Sequence, residues 1–123
     1  MIKARGLARF YYATQYSIKG LKAAFRNEPA FEYEVYAFIV LFPASFFVAQ
    51  SPTQWAMLAG SLFMVLAFEL INSAIEAVVD RVGVEFHELA GRAKDLGSAT
   101  VMMGLFIVAI CWGSVIVENL MGG

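Results

Sequence analysis

Cysteine and histidine occur once each in 123 residues, and proline three times. Cys111 lies inside an apolar run with no second cysteine to pair with, which excludes an internal disulfide and leaves the redox compartment open. One histidine cannot build a zinc site, which draws on several His or Cys ligands. Charge is scarce too: 15% of residues are charged and 60% hydrophobic, against roughly 25% and 45–50% in soluble domains. That balance argues against a small soluble fold and against disorder, and a net charge of −1 offers no general attraction to nucleic acid. No Gly-x-x-x-x-Gly-Lys-Ser/Thr loop, Gly-x-Gly-x-x-Gly turn or soluble-kinase catalytic loop occurs. Nor does the N-terminus read as a signal peptide, because Arg9, Tyr11, Tyr12 and Thr14 break up the hydrophobic core of about 7–15 residues that one needs.

What the chain has instead is long apolar stretches, and the expected fold is an all-α integral membrane protein. A crossing takes about 20 mostly apolar residues at 1.5 Å rise each. Three stretches qualify: 31–49, where Pro43 is expected to introduce a kink; 55–80, which turns polar after Phe68; and 96–117, which carries no charge. The polar turn from Gln50 to Gln54 makes the first two spans an antiparallel hairpin, and 81–95 form a longer charged connection. The expectation is a single membrane domain over 1–123, with no linker and no internal repeat.

Lys and Arg are retained on the cytoplasmic side of a membrane protein. Of nine basic residues, six lie at or before Arg26 and three lie between Arg81 and Lys94. None lies in 50–54 or after Val117, where Glu118 is the only charge. The N-terminus and 81–95 are therefore expected in the cytoplasm, and 50–54 and the C-terminus outside.

The first 26 residues are too polar to span. At roughly 100° per residue, Leu7, Phe10, Tyr11, Ile18, Leu21 and Phe25 share about a third of the helix circumference, with Arg5, Arg9, Lys19 and Arg26 on the other side. This is the pattern of an interfacial amphipathic helix, with residues 1–28 as the surface segment. Such a helix serves either as an electrostatic anchor on anionic headgroups or as a wall through which a lipid or phosphate reaches a site.

The second span holds the informative anomaly. Glu69, Asn72, Glu76 and Asp80, spaced by 3, 4 and 4 residues, fall within about 80° on one helix face, with Ser73 beside them. A carboxylate at the bilayer centre costs on the order of 2.5–3.5 kcal/mol even on the lenient insertion scale. Asn72 and Ser73 would be enough to glue a helical bundle without ionisable groups, so repeated carboxylates point to chemistry. Oxygen ligands suit a hard cation such as Mg²⁺, and Glu76 and Asp80 lie near the cytoplasmic end where a hydrated ion arrives. Glu69 sits about 10 Å deeper along the axis, where low dielectric suits a general base working near neutral pH. The connection adds Glu85, His87, Glu88, Arg92, Lys94 and Asp95, cations for phosphate and acids for metal. These residues alone point to a metal-dependent membrane enzyme or a cation-coupled transport subunit.

The run from Glu69 through Asn72, Glu76 and Asp80 to Arg81, followed by Glu85-Phe86-His87 and Lys94-Asp95-Leu96-Gly97-Ser98, resembles the signature of the small bacterial integral-membrane diacylglycerol kinases. The likeness extends upstream through Arg9, Tyr16-Ser17, Lys19-Gly20-Leu21, Asn27-Glu28, Phe31 and Glu34, and so covers essentially the whole chain. It implies a homotrimer of three-span protomers in the bacterial inner membrane. The reaction implied is transfer of the γ-phosphate of ATP to diacylglycerol, giving phosphatidic acid and ADP, with Mg²⁺ as cofactor and no nucleic-acid partner.

Carried over residue by residue, the resemblance implies Glu69 as general base and Glu28 and Glu76 as metal ligands. It implies Arg9, Tyr16, Glu28, Glu76, Glu85, Phe86, His87, Lys94 and Asp95 at the nucleotide, and Arg9, Glu34, Glu69, Asn72 and Ser98 at the lipid. Spacing alone does not single out Glu28. Lys22, Phe25, Pro29 and Tyr33 depart from Arg, Trp, Ala and Gln of the best-known members, and lie around Glu28. Members with the same architecture that phosphorylate undecaprenol need the same stripe; the stretch Lys94-Asp-Leu-Gly-Ser-Ala-Thr100 resembles the diacylglycerol branch. The competing class is a non-enzymatic transport or scaffold subunit, which would show no ATP turnover with any lipid alcohol.

Overall fold

The computed structural model describes residues 5–82 and 88–122, and within them the chain forms four helices: α1 (Leu7–Asn27), α2 (Pro29–Val48), α3 (Pro52–Val82) and α4 (Glu88–Gly122). The last three are long and apolar enough to cross a membrane. α1 is the amphipathic helix, and Leu7, Phe10, Tyr11, Ile18 and Leu21 all stand exposed on it.

α1 and α2 are separated by one residue. Glu28 is extended (φ −120°, ψ 101°), its N–H donates to Ala24 O at 2.9 Å, and Glu32 N–H donates to Glu28 O at 3.1 Å. Pro29 is the local cause: its ring disfavours helical geometry in the residue before it, while proline at the first helical position loses no hydrogen bond. α2 runs through Pro43 without a break.

The hairpin turn is held by side chains. Ser51 Oγ accepts from Gln54 N–H at 3.1 Å, capping α3, and Gln54 Oε1 accepts from Gln50 N–H at 2.9 Å. The Gln54 amide also donates to Glu118 and Asn119 at 2.5 and 2.8 Å, and Asn119 donates to Val48 O at 2.8 Å, so α2, α3 and α4 are tied together at this end.

α3 is the central element and packs most extensively on α4, then on α2, while α1 touches α2 and α3. Its buried seam reads Leu58, Leu62, Val65, at the i, i+4, i+7 spacing that keeps residues on one face. Gly104 lets α4 approach this seam, since a Cβ there would lie 2.8 Å from the Phe68 ring. Trp112 Nε1 donates to Leu58 O at 3.2 Å across the same contact. On the other side, Phe38 and Phe42 stack at 4.9 Å and meet Phe63 edge-on. The remaining surface of the spans is apolar, with Ile39, Val40, Phe47, Phe106 and Ile110 exposed, which a helix bears only where its solvent is lipid or another apolar face.

Candidate active site

The polar stripe continues the buried seam of α3. From Leu58, Leu62 and Val65 the same face proceeds, at roughly 100° per residue, to Glu69, Asn72, Glu76 and Asp80. Glu69 is therefore held where the next core residue would be, and it is 4% exposed. Asn72 and Glu76 are half-buried and Asp80 is exposed, so burial fades towards the end of the helix.

Two elements bring further carboxylates to this face. Glu34 of α2 comes within charge-interaction range of Glu69, as do Glu76 and Glu28. Glu28, at the break between α1 and α2, shares a hydrogen bond with the Glu76 carboxyl. Partial burial, then repulsion from Glu76 and Asp80, and then this hydrogen bond raise the Glu28 pKa above the ordinary glutamate value. Two carboxyls brought together in this way are a donor set suited to a hard divalent cation, whose charge would offset their mutual repulsion. Among the described residues no third His, Cys, Asp or Glu joins the pair in a metal-binding cluster.

Asn72 donates a long 3.5 Å hydrogen bond to Glu76 Oε1, while its own Oδ1 is buried with no partner among the described residues. Lys94, at the start of α4, reaches across to Asp80, with Nζ 2.8 Å from Oδ1. A groove of 640 Å³ between α1 and α3, lined by Ser17, Gly20, Ala24, Asn27, Glu28 and Ser73, opens on the Glu28 side of the stripe.

The structure thus brings together Glu28, Glu34, Glu69, Asn72 and Glu76, with Lys94 joined through Asp80. Arg9 and Tyr16 are exposed on α1, and Asp95 and Ser98 are exposed on α4, without a hydrogen bond or ion pair to the stripe among the described residues. Glu85, Phe86 and His87 lie outside the described residues. Two features escaped the reading of the sequence: the Asp80–Lys94 bridge, and Gly97, which packs against Asn72. Opposite charges at the two ends of the charged connection, Asp80 and Lys94, were the available signal for the first; helix spacing carried none for the second.

A three-span helical membrane protein with a carboxylate stripe facing a surface helix is the class these features define. The prokaryotic diacylglycerol kinase profile matches residues 15–116. The chain is 47% identical over 116 residues to a diacylglycerol kinase of Haemophilus influenzae, covering 94% of this chain and 98% of that protein. It is 43% identical over 107 residues to a diacylglycerol kinase of Escherichia coli K12, covering 87% and 88%, and 41% identical over 111 residues to one of Pseudomonas aeruginosa, covering 90% of each. The chain belongs to the prokaryotic diacylglycerol kinase family, and it is a membrane-embedded lipid kinase.

Proposed function

We propose that this protein transfers the γ-phosphate of ATP to the hydroxyl of diacylglycerol, forming phosphatidic acid and ADP. The observation that carries the reading is the pairing of Glu28 with Glu76 beside the buried Glu69 on one helix face. Glu28 and Glu76 are the residues that would hold Mg²⁺, which when bound would supply positive charge to offset that of the triphosphate. Arg9, Tyr16, Glu85, Phe86, His87, Lys94 and Asp95 contact the nucleotide, with the two cations matched to its phosphates.

Glu69 acts as general base on the lipid alcohol. Depth supports this: Glu69 lies seven residues, about 10 Å, from Glu76 along α3, on the side of an alcohol whose acyl chains keep it in the membrane. Arg9, Glu34, Asn72 and Ser98 form the lipid side.

Named as diacylglycerol kinases, the relatives favour that substrate over a polyprenol, as does the stretch after Lys94. The charge distribution supports an inner-membrane location with the N-terminus and 81–95 cytoplasmic and the C-terminus periplasmic. The exposed apolar faces leave surface for self-association, and the family resemblance supports three protomers. The test is to offer purified protein labelled ATP with diacylglycerol or undecaprenol and separate the lipid products. Label in phosphatidic acid is expected; label mainly in the polyprenyl phosphate refutes the substrate, and label in neither refutes the reaction.

A further inference from the structure

Asp80 stands on the stripe but has no part in the reaction as proposed. Its carboxylate accepts from Lys94 Nζ at 2.8 Å, joining the end of α3 to the beginning of α4 across the connecting segment. The side chains of Asp80 and Lys94 are 65% and 45% exposed, and ion pairs this open to solvent contribute little or nothing measurable to folding. Stability does not account for the bridge.

Its effect on Lys94 does. A lysine is a point charge on a flexible four-carbon stem, and without a partner its ammonium samples many positions. The ammonium has three N–H donors, and one carboxylate oxygen takes one of them, leaving two for another acceptor. Asp80 also lies in the field of Glu28, and Lys94 in that of Glu76. The bridge therefore parks a cation with spare donors beside the carboxylate pair.

We propose that Asp80 is a positioning residue for nucleotide binding, holding Lys94 so that its two remaining donors are ready for a triphosphate. This rests on Lys94 being a nucleotide contact, as proposed above. Asp80 itself touches neither substrate. A negative charge so close to a polyphosphate would only repel it, unless the intervening ammonium is the group presented.

The experiment measures steady-state kinetics on the purified full-length protein with Asp80→Asn, Lys94→Ala and the double variant. Asp80→Asn is expected to raise the KM for ATP about three- to tenfold, the range for ordering one long side chain on binding, and to leave the lipid KM unchanged. In the Lys94→Ala background, Asp80→Asn is expected to change nothing further, because the residue it positions is gone. Should Asp80→Asn fail to fold, Asp80→Lys with Lys94→Asp preserves the bridge while moving the cation to α3, and the ATP KM stays raised. A wild-type ATP KM in Asp80→Asn beside a raised one in Lys94→Ala overturns the proposal, as do additive effects in the double variant or a wild-type KM in the swapped pair. An unchanged ATP KM in Lys94→Ala removes Lys94 from the nucleotide site, and this inference with it.

Discussion

The side chain of Asn72 on α3 fills the space that a Cβ on Gly97 of α4 would occupy. Oδ1 is the atom in the way, and it is the same buried oxygen that has no hydrogen-bond partner among the described residues. Gly97 is therefore what allows Asn72 to stay on the stripe with its amide against the neighbouring helix.

Gly97→Ala is expected to destabilise the protein by about 1–3 kcal/mol, the usual cost of adding a methyl to a packed contact, and to reduce turnover by displacing Asn72. Thermal unfolding checks the first effect and kinase assay the second. Combining Gly97→Ala with Asn72→Ala should restore most of the stability but not the activity, since the smaller side chain makes room while removing the amide.

Glu69→Gln should abolish phosphoryl transfer while ATP still binds. A lipid hydroxyl is a poor nucleophile until its proton has an acceptor, and a glutamine of the same shape cannot serve. Folding should be little affected, because a neutral amide is cheaper to bury than a carboxylate. Turnover and nucleotide affinity measured on one sample decide the matter: substantial residual turnover, or a loss explained entirely by lost ATP binding, removes Glu69 from the role of base.

Glu28→Gln and Glu76→Gln should each raise the Mg²⁺ concentration needed for half-maximal activity, since an amide keeps the shape and loses the charge a hard cation requires. In the native protein, the raised Glu28 pKa means that the proton competes with the cation at higher pH than it would at a free glutamate. The Mg²⁺ requirement should climb as pH falls through that raised value, and Glu28→Gln should flatten the climb.

The same shift sets the sign of a stability effect. Between the ordinary glutamate pKa and the raised one, the folded chain binds more protons at Glu28 than the unfolded chain. Without divalent cation, this contribution to stability is present at low pH and is lost as pH rises through the folded value. Unfolding midpoints measured across pH with and without Mg²⁺ should converge at the acid end and separate above it, where the cation replaces the proton.

Gln54→Ala should lower stability by about 1–3 kcal/mol without changing activity per folded molecule. It strips Gln50 N–H of its acceptor and unties α3 from Glu118 and Asn119. Gln54 lies about 22 Å along α3 from Glu69, so the chemistry should not register the loss. Thermal unfolding and specific activity on the same preparation test this.

Local pattern was enough for the order of the helices, the hairpin, the amphipathic face of α1 and the face shared by Glu69, Asn72, Glu76 and Asp80, but not for the start of α4, which begins at Glu88 inside the segment 81–95 expected as a connection. Hydropathy and a period of 3.6 residues belong to single segments, and so does the preference of Pro29 for an extended residue before it. Pro43 lies inside α2, which is one continuous helix from Pro29 to Val48. Residues far apart in sequence met only in the tertiary structure, as Glu28 with Glu76, Lys94 with Asp80 and Gly97 with Asn72. The register in which α1 and α4 pack against α3 decides these meetings. It depends on the summed fit of many side chains across each contact, and no single helix carries that information in its own residues.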